Sequence, residues 1–420
     1  MPERVRRAVA GKPLPALVVD LDAVDANAED MLRRAGGTPI RVASKSLRIP
    51  ALIEHVLAKP GFQGVLAYTL PEALMLAGEG ICDDILVAYP TTDEDAVIDL
   101  AADPAARAAI AVMVDSPEQL PRLARHASED APLRVCLDVD ASWRPAPGVH
   151  IGTLRSPAHS PGQAAALARA VDATPGLRVI GVMMYEGHIA GVGDAGSTPR
   201  AAAVRVMQKA SRKELAARRA KVVAAVEAAV GPLELVNGGG TGSLESTCAE
   251  AAVTEAAAGS GLVAPTLFDA YRAFTPTPAS WFVLPVVRRP APDTVTVAGG
   301  GRIASGPAGG TRLPSPVFPA GLSYAKDEGP GEVQTPLTGQ AARTLRIGDG
   351  VWFRHAKAGE TAEHADEALV VSGDRVIGQW ATYRGKGLIY TRATQQTTPT
   401  GGTGRARSPP VPGRRTSRRT

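Results

Sequence analysis

The 420-residue chain is poor in aromatic residues, at 4%, and holds three cysteines, Cys82, Cys136 and Cys248. The aromatic scarcity accompanies heavy use of alanine and arginine and reads as genomic compositional bias, not as a trace of function. The cysteines lie far apart, match no metal-ligand spacing and leave one unpaired under any scheme, which excludes a disulfide framework. They are expected to be buried thiols. No uninterrupted apolar run reaches the ~20 residues that a membrane-spanning helix needs. The opening MPERVRRAVAGKP has basic residues with no apolar stretch behind them, unlike a secretory signal. The expectation is a cytoplasmic protein with no membrane partner. With 45% hydrophobic and 21% charged residues, the chain can bury a sizeable core and stay globular.

The formal charge of +4 suggests nucleic acid until its location is considered. Seven arginines and no acid lie from Thr391 to Thr420; removing those seven from 46 leaves 39 basic against 42 acidic residues, net −3, for residues 1–390. The folded part is mildly acidic, so no nucleic-acid partner is expected. The Arg-rich tail, residues 391–420, is almost free of apolar residues and is expected to be disordered, since it cannot offset its own ordering entropy.

From residue 15 onward, short β-rich runs alternate with Ala/Leu-rich helical stretches, the pattern of parallel strands with crossover helices. Nine runs qualify: LPALVVDLD, PIRVASKS, FQGVLAYT, DDILVAYP, AIAVMVDS, LRVCLDVDA, LRVIGVMMYEG, LELVNGGG and VTEAAAG. Helices are expected at 23–34, 50–58, 71–77, 117–126, 163–171 and 201–230. So many units favour a (βα)8 barrel over an open sheet, with one of the nine strands left outside. After about residue 275 the texture turns to Pro, Gly and short β-like runs: WFVLPVVRR, DTVTVAGGG, RTLRIG, DGVWFRHA, EALVVSGDRVIGQW and GLIYTR. The expected organisation is α/β: an N-terminal segment 1–14, a (βα)8 TIM barrel over 15–274, an all-β domain over 275–390 and the tail. The stretch 306–345 has no clear periodicity and reads as a long loop.

Several residue groups could carry chemistry. Lys45 ends the run PIRVASK, where a strand delivers its last residue to the barrel mouth, and a partly desolvated amine there can attack a carbonyl. Taken alone it is equally a surface lysine. Asn237-Gly238-Gly239-Gly240-Thr241-Gly242-Ser243 follows the strand LELV; consecutive glycines let N–H groups converge on a phosphate, although a flexible turn also uses glycine. It is neither a Walker motif nor GxGxxG. Tyr185-Glu186-Gly187-His188 ends another strand, and His188 could be an acid–base group or a structural histidine. In the β domain, His355 and Lys357, then Glu360, Glu363, His364 and Asp366, form a charged stretch. A zinc site wants more ligands and no ammonium nearby, so a solvated loop is the plainer reading.

In order, the motifs PALVVDLDAVDANAEDM, RVASKSLRIP, GVLAYTLPEALMLAGEGICDDILVAYP, YEGH, NGGGTGS, VTEAAAGSG and PVVRRPAPDTVTVAGGGRIASG resemble the D-threonine aldolase and D-serine dehydratase group of fold-type III pyridoxal-phosphate enzymes, relatives of alanine racemase. The resemblance covers about residues 14–390. It implies an alanine racemase-type barrel with a C-terminal β domain, paired as a homodimer, with LVVDLDA preceding the barrel. It implies that Lys45 holds pyridoxal 5'-phosphate as a Schiff base, that Asn237, Gly238, Gly239, Gly240, Thr241 and Gly242 hold its phosphate, and that Arg155, Tyr185 and His188 lie near the ring or the substrate. The implied activity is a lyase acting on a β-hydroxy-D-amino acid, by aldol cleavage or by dehydration and deamination. Members of the group place a divalent metal on a His-x-Cys or His-x-Asp pair. In this chain His355 is followed by Lys357 in the second position. The preferred reading is that Lys357 supplies the positive charge itself; Asp366 is the alternative ligand.

The nearest rival is a pyridoxal-phosphate racemase, which needs a second base opposite Lys45; alanine racemases use a tyrosine from the partner subunit, and Tyr324 in GLSYAKDEG is the candidate. A non-catalytic pyridoxal-phosphate carrier is disfavoured by the β domain. A nucleic-acid binder would depend on the tail.

Overall fold

The computed structural model describes residues 1–390; the Arg-rich tail lies outside the described residues. All nine expected strands form. Strand β1 (Ala16–Asp20) is the one outside the barrel, and β2 (Ile40–Ala43), β3 (Phe62–Ala67), β4 (Ile85–Val87), β5 (Ile110–Val114), β6 (Leu133–Asp138), β7 (Leu177–Met184), β8 (Leu235–Gly238) and β9 (Glu255–Ala258) close into a parallel barrel. Closure is made by β2 on β9, with Val42 opposite Ala258. Alternation explains the packing. Ile110, Val112 and Val114 join the main core between strands and helices, whereas Ala111 and Met113 join Leu86, Cys136 and Met183 in a smaller cluster inside the barrel. Beside that cluster Arg41 is clamped between Glu255, with two bonds of 2.7 Å, and Asp84, at 3.0 Å. Cys136 is fully buried, but Cys82 and Cys248 are only partly so, which corrects the expectation for those two thiols.

The second domain is built on β10 (Ser280–Ala291), β11 (Thr294–Ala298), β12 (Ser315–Phe318), β13 (Ser323–Tyr324), β14 (Gln334–Thr338), β15 (Gly350–Arg354), β16 (Glu367–Ser372) and β17 (Arg375–Ala381), and β1 completes this nine-stranded sheet between β10 and β16. The first strand of the chain is therefore a member of the second sheet, not only a lead-in to the barrel. Alternation along β10 sorts its two faces: Phe282, Leu284 and Val286 pack with Val297, Leu337 and Phe353, while Trp281 and Val283 pack with Val18, Trp352 and Val371. Val5 and Val9 of the helix Glu3–Val9 cover the latter face, so the segment 1–14 carries a helix docked on the second sheet.

Four expectations need correction. The stretch 306–345 is not one loop but contains β12, β13 and β14, whose partners β15 and β11 are distant in sequence. RTLRIG forms a 3-10 turn ending at Arg343 and no strand, and the described part of GLIYTR has none either. The helix expected at 117–126 is a 3-10 turn, Pro117–Gln119, followed by Leu120–Ala124, because Pro121 lacks the N–H that a longer first turn would use.

Candidate active site

At the C-terminal end of the barrel strands, a cavity of about 450 Å3 opens between the two domains. It is lined from the barrel by Lys45, Tyr89, Arg155, Tyr185, Asn237, Gly239, Gly240, Thr241 and Ser260, and from the second domain by Ser305, Arg312, Lys357 and Glu360.

Lys45 lies in the turn Ser44–Ser46 directly after β2, and its Nζ donates to Tyr89 Oη at 3.1 Å. The turn is held from both sides. Arg48 Nε donates to the Lys45 carbonyl at 3.1 Å and its Nη1 to Glu363 at 2.7 Å, which ties the lysine to the second domain. Gly359 packs so closely on the Lys45 carbonyl that a Cβ would come within 1.9 Å of it. Burial opposes ionisation of Tyr89, but the Lys45 and Arg155 cations outweigh it and leave the phenol below its ordinary value. The Arg155 guanidinium lies 5.3 Å from the Tyr89 ring centre and 5.5 Å from that of Tyr185. Burial pushes the Tyr185 phenol up to about 12, so it stays protonated.

The glycine-rich turn follows β8 and the turn Gly259-Ser260-Gly261 follows β9, the seventh and eighth barrel strands, where barrels commonly bind phosphate. Gly261 N donates to Thr241 Oγ1 at 3.0 Å, and the hydroxyls of Thr241 and Ser260 are 3.5 Å apart. The N–H groups of Thr241 and Ser260 have no acceptor among the described residues. Close approach excludes larger residues: a Cβ on Gly240 would meet Ala190 at 2.9 Å, and one on Gly242 would meet the Ala190 carbonyl at 2.4 Å. Donors without acceptors in a narrow turn suit a phosphate, and a lysine within the same cavity suits an aldehyde. The site fits pyridoxal phosphate.

Not every candidate stands where it was expected. Gly238 and Gly242 shape the turn without lining the cavity. Asn237 donates to Glu255 at 2.7 Å. His188 does not line the cavity; the helix Gly187–Ala190 turns its ring toward the long helix Pro199–Val230, where Nε2 meets Ser211 Oγ at 2.5 Å. Its neighbour Glu186, singled out by nothing in the sequence, organises the glycine turn. Its carboxylate accepts from Arg219 at 3.0 Å, Gly239 N at 3.2 Å, Ser243 Oγ at 2.8 Å and Thr247 Oγ1. Tyr324, expected to serve the site of a partner subunit, donates its hydroxyl to the Pro314 carbonyl at 2.7 Å.

His355 has both ring nitrogens against backbone carbonyls, Nε2 at 2.8 Å from Arg302 O and Nδ1 at 2.5 Å from Lys357 O. Asp366 is exposed and paired with Arg384 at 3.2 Å. Among the described residues no three His, Cys, Asp or Glu side chains gather as a ligand set. These donors do not make a metal centre by themselves. Burial, and next the like charge of Arg312, hold Lys357 below the ordinary lysine range. Among the described residues no helix is long and apolar enough to cross a membrane.

A closed parallel barrel with a lysine after its first strand, a phosphate-type turn after its seventh and a separate antiparallel domain define the alanine racemase architecture. Residues 19–263 match the family described as alanine racemase, N-terminal domain. The chain belongs to that family, and with it to the fold-type III pyridoxal-phosphate enzymes. No curated protein matches it by sequence. Among solved structures, the D-threonine aldolase from Filomicrobium marinum is similar at 21% identity and a TM-score of 0.72, over 88% of this chain and 94% of that one. The D-threo-3-hydroxyaspartate dehydratase from Delftia sp. HT23 is similar at 18% identity and 0.70, over 89% and 98%. The histidine racemase from Leuconostoc mesenteroides is similar at 15% and 0.55, over 82% and 88%. At such identities the likeness is one of fold.

Proposed function

We propose that the protein is a pyridoxal-phosphate-dependent lyase that acts on a β-hydroxy-D-amino acid, by aldol cleavage or by dehydration and deamination. The observation that supports this most is the single cavity in which Lys45 Nζ, the open N–H groups of Thr241 and Ser260, and the Arg155 guanidinium converge. When bound, the cofactor supplies an electron sink for the negative charge left at a substrate Cα. The chain's own residues then divide the work. Thr241, Ser260 and the glycine turn hold the phosphate by N–H and O–H donors. Tyr89 holds a proton within reach of Lys45 Nζ, and its lowered phenol lets it exchange that proton near neutrality more readily than a free tyrosine. Arg155 orients negative charge above the Tyr89 and Tyr185 rings. Lys357 supplies positive charge to the cavity from the second-domain side, at the position where a second metal ligand would stand.

Borohydride treatment of the loaded protein followed by peptide mapping is expected to label Lys45, and Lys45→Ala is expected to lose the visible absorbance band. A panel of D- and L-β-hydroxy amino acids assayed together for aldehyde, ammonia and inversion tests the reaction. Inversion without loss of amino acid would replace the lyase reading by a racemase.

A further inference from the structure

The second-domain wall of the cavity carries a charge imbalance that the chemistry above leaves unexplained. Arg48, Arg312 and Lys357 join Lys45 and Arg155 around the cavity, against one lining carboxylate, Glu360. Arg48 is neutralised by Glu363 at 2.7 Å. Glu360 is engaged by Ser305, whose N–H donates to Oε2 at 2.9 Å and whose hydroxyl donates to Oε1 at 2.5 Å. Among the described residues Arg312 has no carboxylate within salt-bridge distance, and its buried Nε has no hydrogen-bond partner. It is held by shape instead. Its carbonyl accepts from Ala304 N at 2.8 Å, and its guanidinium lies flat on Gly306, where a Cβ would come within 2.7 Å of Nε. Lys357 Nζ reaches only Ser305 Oγ, at 3.5 Å. Glu360 is the one lining carboxylate and attracts Lys357, so two cations face one anion on this wall and the excess positive charge, with Arg312 unpaired, favours the entry of a further anion. The cofactor phosphate does not meet this demand, because the turns after β8 and β9 offer it neutral donors.

We infer that Arg312 and Lys357 form a carboxylate subsite for the substrate's side chain, so that the preferred substrate is a β-hydroxy-D-amino acid with a second, distal carboxylate. A single α-carboxylate is answered by Arg155, which makes no salt bridge among the described residues and has only the buried carboxyl of Asp138 acting on it; a neutral side chain would leave the excess charge at Arg312 unanswered. The inference rests on the lyase reading above and adds the identity of the β-substituent.

D-malate and D-lactate test it, since both lack the amine and cannot react. Calorimetric titration of the pyridoxal-phosphate-loaded protein is expected to show D-malate binding at least about tenfold more tightly than D-lactate. Arg312→Met and Lys357→Met are each expected to weaken D-malate about tenfold and D-lactate less than about threefold, while Arg312→Lys keeps most of the difference. If Arg312→Met does not fold, Gly306→Ala crowds the guanidinium and is expected to lower the same ratio. Equal binding of the two acids, or an equal loss of both in Arg312→Met, would overturn the subsite. Turnover of D-threo-3-hydroxyaspartate against D-threonine separates the two levels of the argument. If neither turns over but malate discrimination persists, the lyase reading fails and the subsite stands. If both turn over without preference, the lyase reading stands and the subsite fails.

Discussion

Glu186→Gln probes the residue on which the glycine turn depends. The wild-type carboxylate is almost fully buried and receives two donors on Oε2, from Arg219 and Gly239, and two hydroxyls on Oε1, from Ser243 and Thr247. Glutamine can keep its carbonyl toward Arg219 and Gly239 and turn its amide toward the hydroxyls, which can rotate to accept. The shape survives and the charge is lost. Arg219, fully buried, then keeps Glu250 as its one carboxylate among the described residues, beside the Met184 carbonyl at 3.1 Å. Removing one partner of a buried ion pair costs about 3–5 kcal/mol, and the remaining Glu250 contact puts the expected loss near the lower end, about 3 kcal/mol. If a third to a half of that loss appears as disorder in the turn, cofactor affinity falls about tenfold, because tenfold corresponds to about 1.4 kcal/mol. Denaturant unfolding without cofactor measures the first quantity and pyridoxal-phosphate titration by absorbance the second. Glu250→Gln is the control: it weakens the same arginine without touching Gly239, so it is expected to lower stability and leave cofactor affinity nearly unchanged. An unaltered cofactor dissociation constant in Glu186→Gln, or an equal loss in both variants, would refute the reasoning.

Two further outcomes follow from the same geometry. Glu72, which accepts from Tyr68 N at 2.7 Å and Tyr383 Oη at 2.6 Å, has its carboxyl pushed by burial from 4.5 up to about 7. The native state therefore binds this proton more tightly than the unfolded chain, and stability falls as pH rises from 4.5 to 7. At about 1.4 kcal/mol per pH unit, Glu72→Gln should gain about 3 kcal/mol on wild type between pH 4 and pH 8 in paired denaturant titrations, and a flat difference would exclude it. Chelators, assayed on the loaded enzyme, are expected to leave activity largely intact, since Lys357 follows His355 where a second ligand would be needed; a large loss restored by zinc or manganese would reject that assignment.

What could be read in advance depended on how local the cause was. Lys45 was legible because strand-end residues of a barrel reach its mouth, and the glycine turn because consecutive glycines mark close backbone approach. Tyr185 and His188 looked alike in sequence, but a helix starting at Gly187 sends the histidine away from the cavity. Glu186, between them, carries its meaning only through Arg219 and Gly239, which are brought to it by the fold. Tyr89, Ser260 and Arg312 were missed for the same reason: each enters the cavity from a different loop. Strands β12 and β14 have no clear alternation in sequence because Pro316 and Pro336 interrupt them, and ladders to the distant β15 and β11 stabilise them. The pairing of β1 with β10 and β16 spans most of the chain and has no local signature.

Barrel closure and the second sheet have separate consequences for chemistry. Closure makes the first and eighth barrel strands neighbours, so Lys45 and Ser260 share a cavity although more than two hundred residues separate them. That arrangement needs only the barrel, and it suits any reaction that the cofactor supports. The second domain contributes Ser305, Arg312, Lys357 and Glu360 to the other wall of the cavity, which the proposed function and subsite assign to the substrate's β-carbon side. Their loops are anchored to the lysine turn by the contact of Gly359 with the Lys45 carbonyl and by the Arg48–Glu363 pair. A change of residue at these four positions can thus alter which substrate is held without disturbing the cofactor site, whereas a change at Gly359 or Arg48 disturbs both.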